Sequence, residues 1–322
     1  MSINIIDPIL ITGATGFIGS NLLRYFVKKN IIINIIIRKQ SKIWRIKDLI
    51  DSRLVKIHFC DLSNKKKLDL LIGKIKPKTI YHLATYGAYS YQVDQNLIKK
   101  NILDNTINLF NACNEHKFRI FINTGSNSEY GFKSKKMSEN DILEPNSYYA
   151  VYKAAVSQYL RYVAISKKLP IVTVRPFHVY GPYEAQTRLI PNLILNLINK
   201  KMINLVSPKI SRDMLYVDDC VDLYIKISSS RNNFGAIYNM GSGSKTKIKD
   251  IVEIAQKYTR TKKILKPKWN SMKDRSWDQE IWLADMSLVK KELKWKSKIS
   301  LDAGINKTYD WIKANKHLYK KS

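Results

Sequence analysis

Tyr149 and Lys153 stand four residues apart in Ser147-Tyr-Tyr-Ala-Val-Tyr-Lys-Ala-Ala155, a stretch with no helix breaker. On a helix that spacing puts the phenol and the ammonium on one face, a turn apart. A phenol beside a cation is a proton-transfer device, and the ammonium is expected to lower a phenol pKa of about 10 in water. With 19 tyrosines among 322 residues, such pairs also arise by chance. The pair means chemistry only if the chain sets a cofactor and a substrate beside it.

A cofactor site is legible at the start of the chain. Ile9-Leu-Ile-Thr12 reads as a short buried strand, Gly13-Ala-Thr-Gly16-Phe-Ile-Gly19 follows directly, and Leu22, Leu23 and Phe26 recur at helical spacing. Strand, glycine turn, helix is the context in which such glycines signal a dinucleotide: backbone can approach the pyrophosphate, which rests at the positive helix end. The second strand, Ile31 to Ile37, ends at Arg38-Lys39-Gln-Ser41. No acid is there to take a ribose 2′-hydroxyl, and two cations stand where a 2′-phosphate would lie. The expected cofactor is NADP, with NAD as the alternative.

Further strands are expected at Val55 to Cys60, Thr79 to Ala84, Arg119 to Thr124 and Pro170 to Arg175. Asp61-Leu62 ends the third, within reach of an adenine ring, and His82 in the fourth reads as a packed or hydrogen-bonded histidine. Ile98, Ile102, Leu109, Phe110 and Cys113 give a long amphipathic helix. Strands alternating with helices imply an α/β fold, a doubly wound parallel (Rossmann) sheet, whose active groups gather at the carboxyl ends of the strands. Ser126 lies in the loop at one such end, just before the helix of Tyr149 and Lys153. Val221 to Ile227 reads as helix and Gly235 to Gly241 as a strand returning to the sheet. Residues 1–176 would then form the dinucleotide-binding unit, completed by segments near 218–241. Residues 177–322 would form mainly an interleaved, smaller substrate lobe, with a Lys-rich tail after Trp311 expected to fray.

Composition removes other classes. The chain is long enough for a large core, and no apolar run approaches the roughly 18 residues of a membrane span. Cys60, Cys113 and Cys220 are too few and scattered for a disulfide framework and read as free thiols of a reducing cytoplasm. No signal peptide is expected, because Asp7-Pro8 interrupts the first residues. The formal charge of +30 invites a nucleic-acid reading. Its cations are spread along the whole length, however, and the excess reads as compositional. No metal-ligand spacing is present.

The glycine turn, His82-Leu-Ala-Thr85, Ser126 and Tyr149-x-x-x-Lys153 together resemble the extended short-chain dehydrogenase/reductase superfamily of nucleotide-sugar enzymes, from residue 8 to about 312. The resemblance implies Tyr149 as acid/base, Ser126 as hydrogen-bond partner of the substrate oxygen, and Lys153 as ligand of the nicotinamide ribose. It also implies cofactor contacts from Gly13, Thr15, Gly16, Phe17, Ile18, Gly19, Arg38, Lys39, Asp61, Leu62, Leu83, Ala84, Thr85, Asn101 and Pro176. Substrate contacts would come from Tyr86, Ser126, Asn127, His178, Arg188, Arg212 and Arg275. Phe177-His-Val-Tyr-Gly-Pro-Tyr183 resembles the family's Asn-Val-Tyr-Gly-Pro turn, with His178 in the place of Asn. Ser211-Arg-Asp-Met-Leu-Tyr-Val-Asp-Asp219 resembles its Arg-Asp-x-x-Tyr-Val-Asp-Asp signature. The three arginines match positions that grip a nucleotide diphosphate, a task suited to guanidinium forks. Asp218 and Asp219 are read as capping or anchoring the following helix. The implied substrate is a nucleotide-diphosphate sugar, and the implied assembly a homodimer.

Family membership does not fix the reaction. Dehydratases of this family need a carboxyl pair directly after the catalytic hydroxyl residue, where this chain has Asn127 and Ser128. Glu129 comes one residue late, and on an extended segment would face away. Dehydration is therefore not expected. The remaining readings are a 4-ketoreductase and, as the alternative, a 4-epimerase with tightly held NAD. Arg38, Lys39 and a resemblance of His82-Leu-Ala-Thr, His178-Val-Tyr-Gly-Pro and Ile210-Ser-Arg-Asp to the CDP-abequose/CDP-paratose synthase type favour the reductase.

Overall fold

In the computed structural model, which describes residues 5–230, 234–259, 265–272 and 281–319, seven strands form one fully parallel sheet. They belong to a set numbered β1 (Ile9–Thr12), β2 (Ile33–Ile37), β3 (Val55–Phe59), β4 (Thr79–His82), β5 (Ile120–Thr124), β6 (Ile171–Pro176), β7 (His178–Tyr180), β8 (Ser211–Tyr216), β9 (Ala236–Met240), β10 (Lys245–Lys247) and β11 (Ile281–Trp282). The sheet order is β3-β2-β1-β4-β5-β6-β9, so the order reverses beside β1. The helices are α1 (Phe17–Lys28), α2 (Lys65–Ile75), α3 (Gln95–Lys99), α4 (Asn105–Asn114), α5 (Tyr148–Ser166), α6 (Leu189–Ile198), α7 (Val217–Ser228), α8 (Ile248–Thr259), α9 (Ser287–Leu293), α10 (Leu301–Ala314) and α11 (Lys316–Tyr319).

Alternation along the strands builds two cores. Ile9 and Ile11 of β1 point to one face and pack with Leu22, Leu23 and Phe26 of α1 and Leu223 and Tyr224 of α7. Leu10 points to the other, among Leu68 of α2, Leu109 of α4 and Leu160 of α5. Both faces are covered, which is why the strands read as near-continuous apolar runs. A second, small sheet has β8 between β10 and β11, with β7 also pairing β8. It packs with α6, α8 and α10 around Leu193, Ile251 and Ile305.

Two expectations change. The helix expected over Ile98 to Cys113 contains a π-helical turn, Lys100–Asp104, between α3 and α4. The tail expected to fray is docked as far as Tyr319. Its ring is buried and packs on Trp44 and Trp311, and its hydroxyl donates to the Glu184 carbonyl at 3.0 Å. Aromatic burial outweighs what the lysines around it suggest. Cys60, Cys113 and Cys220 are free and buried. Among the described residues no helix is long and apolar enough to cross a membrane.

Candidate active site

The glycine turn is shaped by what a side chain would hit. Gly13 has φ +75°, and a Cβ there would come within 2.5 Å of the Leu83 carbonyl carbon; one on Gly19 would overlap the Gly13 carbonyl oxygen. The Gly16 N–H closes the turn on the Gly13 carbonyl at 2.9 Å. Helix α1 then starts with no side-chain cap and no acid in its first turn, so its leading N–H groups face outward as a ready anion site. Thr15, Gly16, Phe17 and Ile18 form that rim, and the backbone of Leu83 and Ala84 walls it from the β4 side. This cradle fits the pyrophosphate of a dinucleotide.

Arg38 and Lys39 are exposed at the end of β2. Asp61 turns its carboxylate to the Ser63 N–H (2.9 Å) and hydroxyl (2.7 Å), and Leu62 is buried. Asn101 lies in the π turn and donates to the Leu97 carbonyl at 2.8 Å. Such turns are frequent at functional sites. Pro176 ends β6. His82 is buried between Thr12 (2.7 Å) and Thr106 (2.8 Å), and burial pushes its pKa down to about 3. It is a neutral, hydrogen-bonded strut.

Ser126, Tyr149 and Lys153 meet at the carboxyl end of β5, one strand beyond β4. Ser147 caps α5 by accepting from the Ala150 N–H at 3.3 Å, which fixes the phase of Tyr149 and Lys153. Lys153 is buried and donates to the Thr124 carbonyl at 2.6 Å; burial pulls its pKa down to about 8. Tyr149 is half-buried, with Ser126 and Thr85 near enough to act on its phenol. The expected lowering of its pKa does not occur. Burial pushes the phenol above its ordinary value, and the influence of Ser126, Arg188 and Thr85 only partly offsets this. Lys153 is committed to Thr124, with its Nζ 5.8 Å from the Tyr149 ring centre.

The Ser126 loop is not extended, as expected, but a 3-10 turn, Asn127–Tyr130. Ser126 and Glu129 form a capping box: the Ser126 hydroxyl accepts from the Ser128 N–H at 3.1 Å, and Glu129 accepts from the Ser126 N–H at 2.8 Å. Glu129 is fully buried and pairs with the equally buried Arg175 at 2.8 Å. Burial pushes the Glu129 carboxyl up, and Arg175, the Ser126 N–H and Ser157 pull it back. Glu129 thus holds Ser126 in place and does not face the substrate cleft. Asn127 follows at 3.4 Å from the Ser126 hydroxyl.

Two of the three expected arginines converge. Both Arg212 and Arg188 act electrostatically on His178, which burial and these charges hold well below its ordinary pKa. Its Nδ1 is buried and without a hydrogen-bond partner. Arg188 also stacks on the Tyr89 ring at 4.6 Å and donates to the Ala88 carbonyl at 2.9 Å. Tyr86 is half-buried and packs against the core that holds Ile98, Leu109 and Leu160. Arg275 lies outside the described residues. Asp213 is structural, accepting from the Ser242 and Gly243 N–H groups and the Ala284 N–H. Asp219, in the first turn of α7, anchors the chain before α10 through the Lys298 and Ile299 N–H groups.

The profile of the NAD dependent epimerase/dehydratase family matches residues 9–241. This chain belongs to that family. A dTDP-D-glucose 4,6-dehydratase of Dictyostelium discoideum is 25% identical, over 98% of this chain and 83% of its own. A CDP-abequose synthase of Salmonella typhimurium is 26% identical over 78% of this chain and 80% of its own. Among solved structures, UDP-glucuronic acid 4-epimerase of Bacillus cereus, in complex with UDP-glucuronic acid and NAD, superposes with a TM-score of 0.83 at 27% identity, covering 95% and 99% of the two chains. The chain is accordingly an enzyme of the NAD dependent epimerase/dehydratase type.

Within that frame, motif reading missed one group of residues. Arg45, in the connection after β2, donates from Nε to the Tyr183 carbonyl at 2.7 Å and from Nη1 to the glycine-turn carbonyl of Thr15 at 3.4 Å. Burial lowers its pKa, and the nearby Tyr89, Tyr319 and Glu184 partly offset this electrostatically. Glu184 is buried with Oε2 unpartnered, and burial pushes its pKa up to about 8. These residues lie in loops without periodic pattern, so only the run Trp44-Arg45 offered a signal.

Proposed function

We propose that this protein is an NADP(H)-dependent 4-ketoreductase of a nucleotide-activated deoxysugar. One observation carries the choice: β2 runs out into exposed Arg38 and Lys39, while the carboxylate of Asp61 at the neighbouring strand end is turned to Ser63. That is the electrostatics of a 2′-phosphate site. When bound, the nicotinamide supplies hydride to the carbonyl carbon. Tyr149, kept as a neutral phenol by burial, gives its proton to the carbonyl oxygen, which becomes the hydroxyl. Ser126 donates to the same oxygen from a backbone position held by Glu129. Lys153 serves the nicotinamide ribose, and Arg188, Arg212 and His178 take the diphosphate end of the substrate. Asn127 and Ser128 stand in place of a dehydratase carboxyl pair, and Glu129 is committed to Arg175, which supports reduction without dehydration. We include a homodimer in the proposal; exposed Val151 and Tyr162 on α5 support it.

A second reading, a nucleotide-sugar 4-epimerase with resident NAD, is favoured by the 27% identity to the UDP-glucuronic acid 4-epimerase of Bacillus cereus, whose structure holds NAD. The two separate on incubation with 4-deuterated NADPH and 4-keto nucleotide sugars. The reductase places one deuterium in each product and consumes one cofactor per turnover. Unlabelled product with no net cofactor change would establish the epimerase instead. Tyr149→Phe should lower kcat by roughly 10²- to 10⁴-fold while leaving dinucleotide affinity unchanged; full activity in that variant would end the mechanism.

A further inference from the structure

We propose that Tyr319 of α11 is a positioning residue for the dinucleotide cradle, acting through Trp44 and Arg45 on the peptide that leads into α1. The inference rests on the dinucleotide reading of the glycine turn and is independent of whether the enzyme reduces or epimerises.

The target is a single peptide unit. The peptide joining Thr15 to Gly16 is planar, so its carbonyl and its N–H turn together. Its N–H is given to the Gly13 carbonyl at 2.9 Å, and its carbonyl accepts from Arg45 Nη1 at 3.4 Å. Gly16 is the N-cap of α1 and Phe17 its first residue, so this peptide leads directly into the N–H groups of the anion site. Its tilt sets where those donors point. Arg45 holds that tilt from a separate part of the chain, the connection after β2.

Arg45 is itself held from two sides, and Tyr319 meets both. The guanidinium lies 4.3 Å from the centre of the Trp44 ring, and that ring packs on Tyr319 with centroids 6.0 Å apart. Arg45 Nε donates to the Tyr183 carbonyl at 2.7 Å, and the next carbonyl along, that of Glu184, accepts from the Tyr319 hydroxyl at 3.0 Å. That backbone needs support. Tyr183 has φ +70°, in the left-handed region that a bulky residue adopts only where its surroundings impose it. Its ring packs on the Arg24 guanidinium of α1 at 4.0 Å and on Trp311 at 4.4 Å, and Trp311 meets Tyr319 at 6.0 Å. Asn21 of α1 donates to the Pro182 carbonyl at 3.0 Å, so the same turn is fastened to the helix that carries the anion site. Tyr319 is 5% exposed and fills the place where these groups converge.

The test uses the full chain and reads cofactor affinity at a temperature where circular dichroism shows every variant folded. NADPH and NADH are titrated by fluorescence against the wild type, Tyr319→Leu, Tyr319→Phe, Trp44→Leu, Arg45→Gln and the double variant Tyr319→Leu/Arg45→Gln. Tyr319→Leu keeps apolar bulk but loses the ring and the hydroxyl, and Trp44→Leu breaks the same path one contact further on, so it decides the matter if Tyr319→Leu does not fold. Each of the two should raise Kd by about tenfold for both cofactors, the scale of one cation–π contact or charged hydrogen bond. Tyr319→Phe keeps the ring and should stay within about threefold of the wild type. Because Tyr319 acts through Arg45, the double variant should bind no more weakly than Arg45→Gln alone. Wild-type affinity in the Leu variants, with only their melting temperatures lowered, would overturn the proposal, and so would losses that add in the double variant. A loss confined to NADPH would overturn it too, because the pyrophosphate is common to both cofactors. All three of these results leave the dinucleotide reading intact, whereas a wild type that binds neither cofactor would refute that reading and the proposal with it.

Discussion

Replacing Glu129 by Gln should destabilise the protein by about 3–5 kcal/mol, although the change is nearly isosteric and lies outside the substrate cleft. Glu129 and Arg175 have side-chain exposures of 0% and 1%, so neither charge is solvated and each compensates the other at 2.8 Å. The pair itself contributes little net, because desolvation offsets most of the attraction. Removing one partner is different: the guanidinium of Arg175, with Nη1 already lacking a hydrogen-bond partner, is left as an uncompensated buried cation. Gln keeps an acceptor for the Ser126 N–H, whereas Glu129→Ala also orphans that donor, at a further cost of about 1–3 kcal/mol. Arg175→Met should cost less than Glu129→Gln, because burial lets the stranded carboxyl take up a proton. The double variant Glu129→Gln/Arg175→Met should recover at least half of the summed loss. Urea unfolding followed by tryptophan fluorescence, compared at constant m, gives all four corners of the cycle. A loss below about 1 kcal/mol for Glu129→Gln, or additivity in the cycle, would refute the claim that this pair is a desolvated, mutually dependent unit.

Gly19→Ala forces a Cβ onto the Gly13 carbonyl oxygen and should destabilise the protein by about 1–3 kcal/mol and weaken dinucleotide binding in parallel, as read by calorimetry. The Glu184 carboxyl is raised from 4.5 to about 8 by burial. A raised folded value means stability present below about 4.5 and lost as pH climbs through about 8, with a full loss on the order of several kcal/mol. Melting curves between pH 5 and 9 should therefore show the wild type falling relative to Glu184→Gln as pH rises, and a constant difference would contradict the buried carboxyl. Lys153 is lowered to about 8 by burial, so in the free protein its ammonium is lost above that value. Dinucleotide affinity should decline as pH passes from 7 to 9 in the wild type, and Lys153→Met should be weak and flat over the same range.

Much of the site was legible because it is local. A glycine turn between strand and helix, and Tyr149 four residues before Lys153, are patterns whose geometry follows from backbone periodicity alone. The parallel sheet was readable for the same reason, as was the return of β9 to it, whereas the reversal of order beside β1 and the edge place of β9 came from the structure. The segment after Ser126 was misread as extended, because its conformation is set by the reciprocal bonds of a capping box whose acid also needs a buried partner, Arg175, from β6. The docking of Tyr319 was missed because it depends on Trp44 and Trp311, which sequence order keeps far apart.

The sequence by itself determined which groups stand on which strand end and helix face, because spacing and turn chemistry act over a few residues. It thereby determined the family, the dinucleotide cradle and the Ser126, Tyr149 and Lys153 set. Only the tertiary structure decided what those groups are chemically: Tyr149 a protonated phenol and not an eased phenolate, Lys153 tied to Thr124, Glu129 a strut, and Arg45 tied to the Tyr183 and Thr15 carbonyls. The reason is that protonation and pairing depend on desolvation, and desolvation sums over every element packed around a group, wherever it falls in the chain.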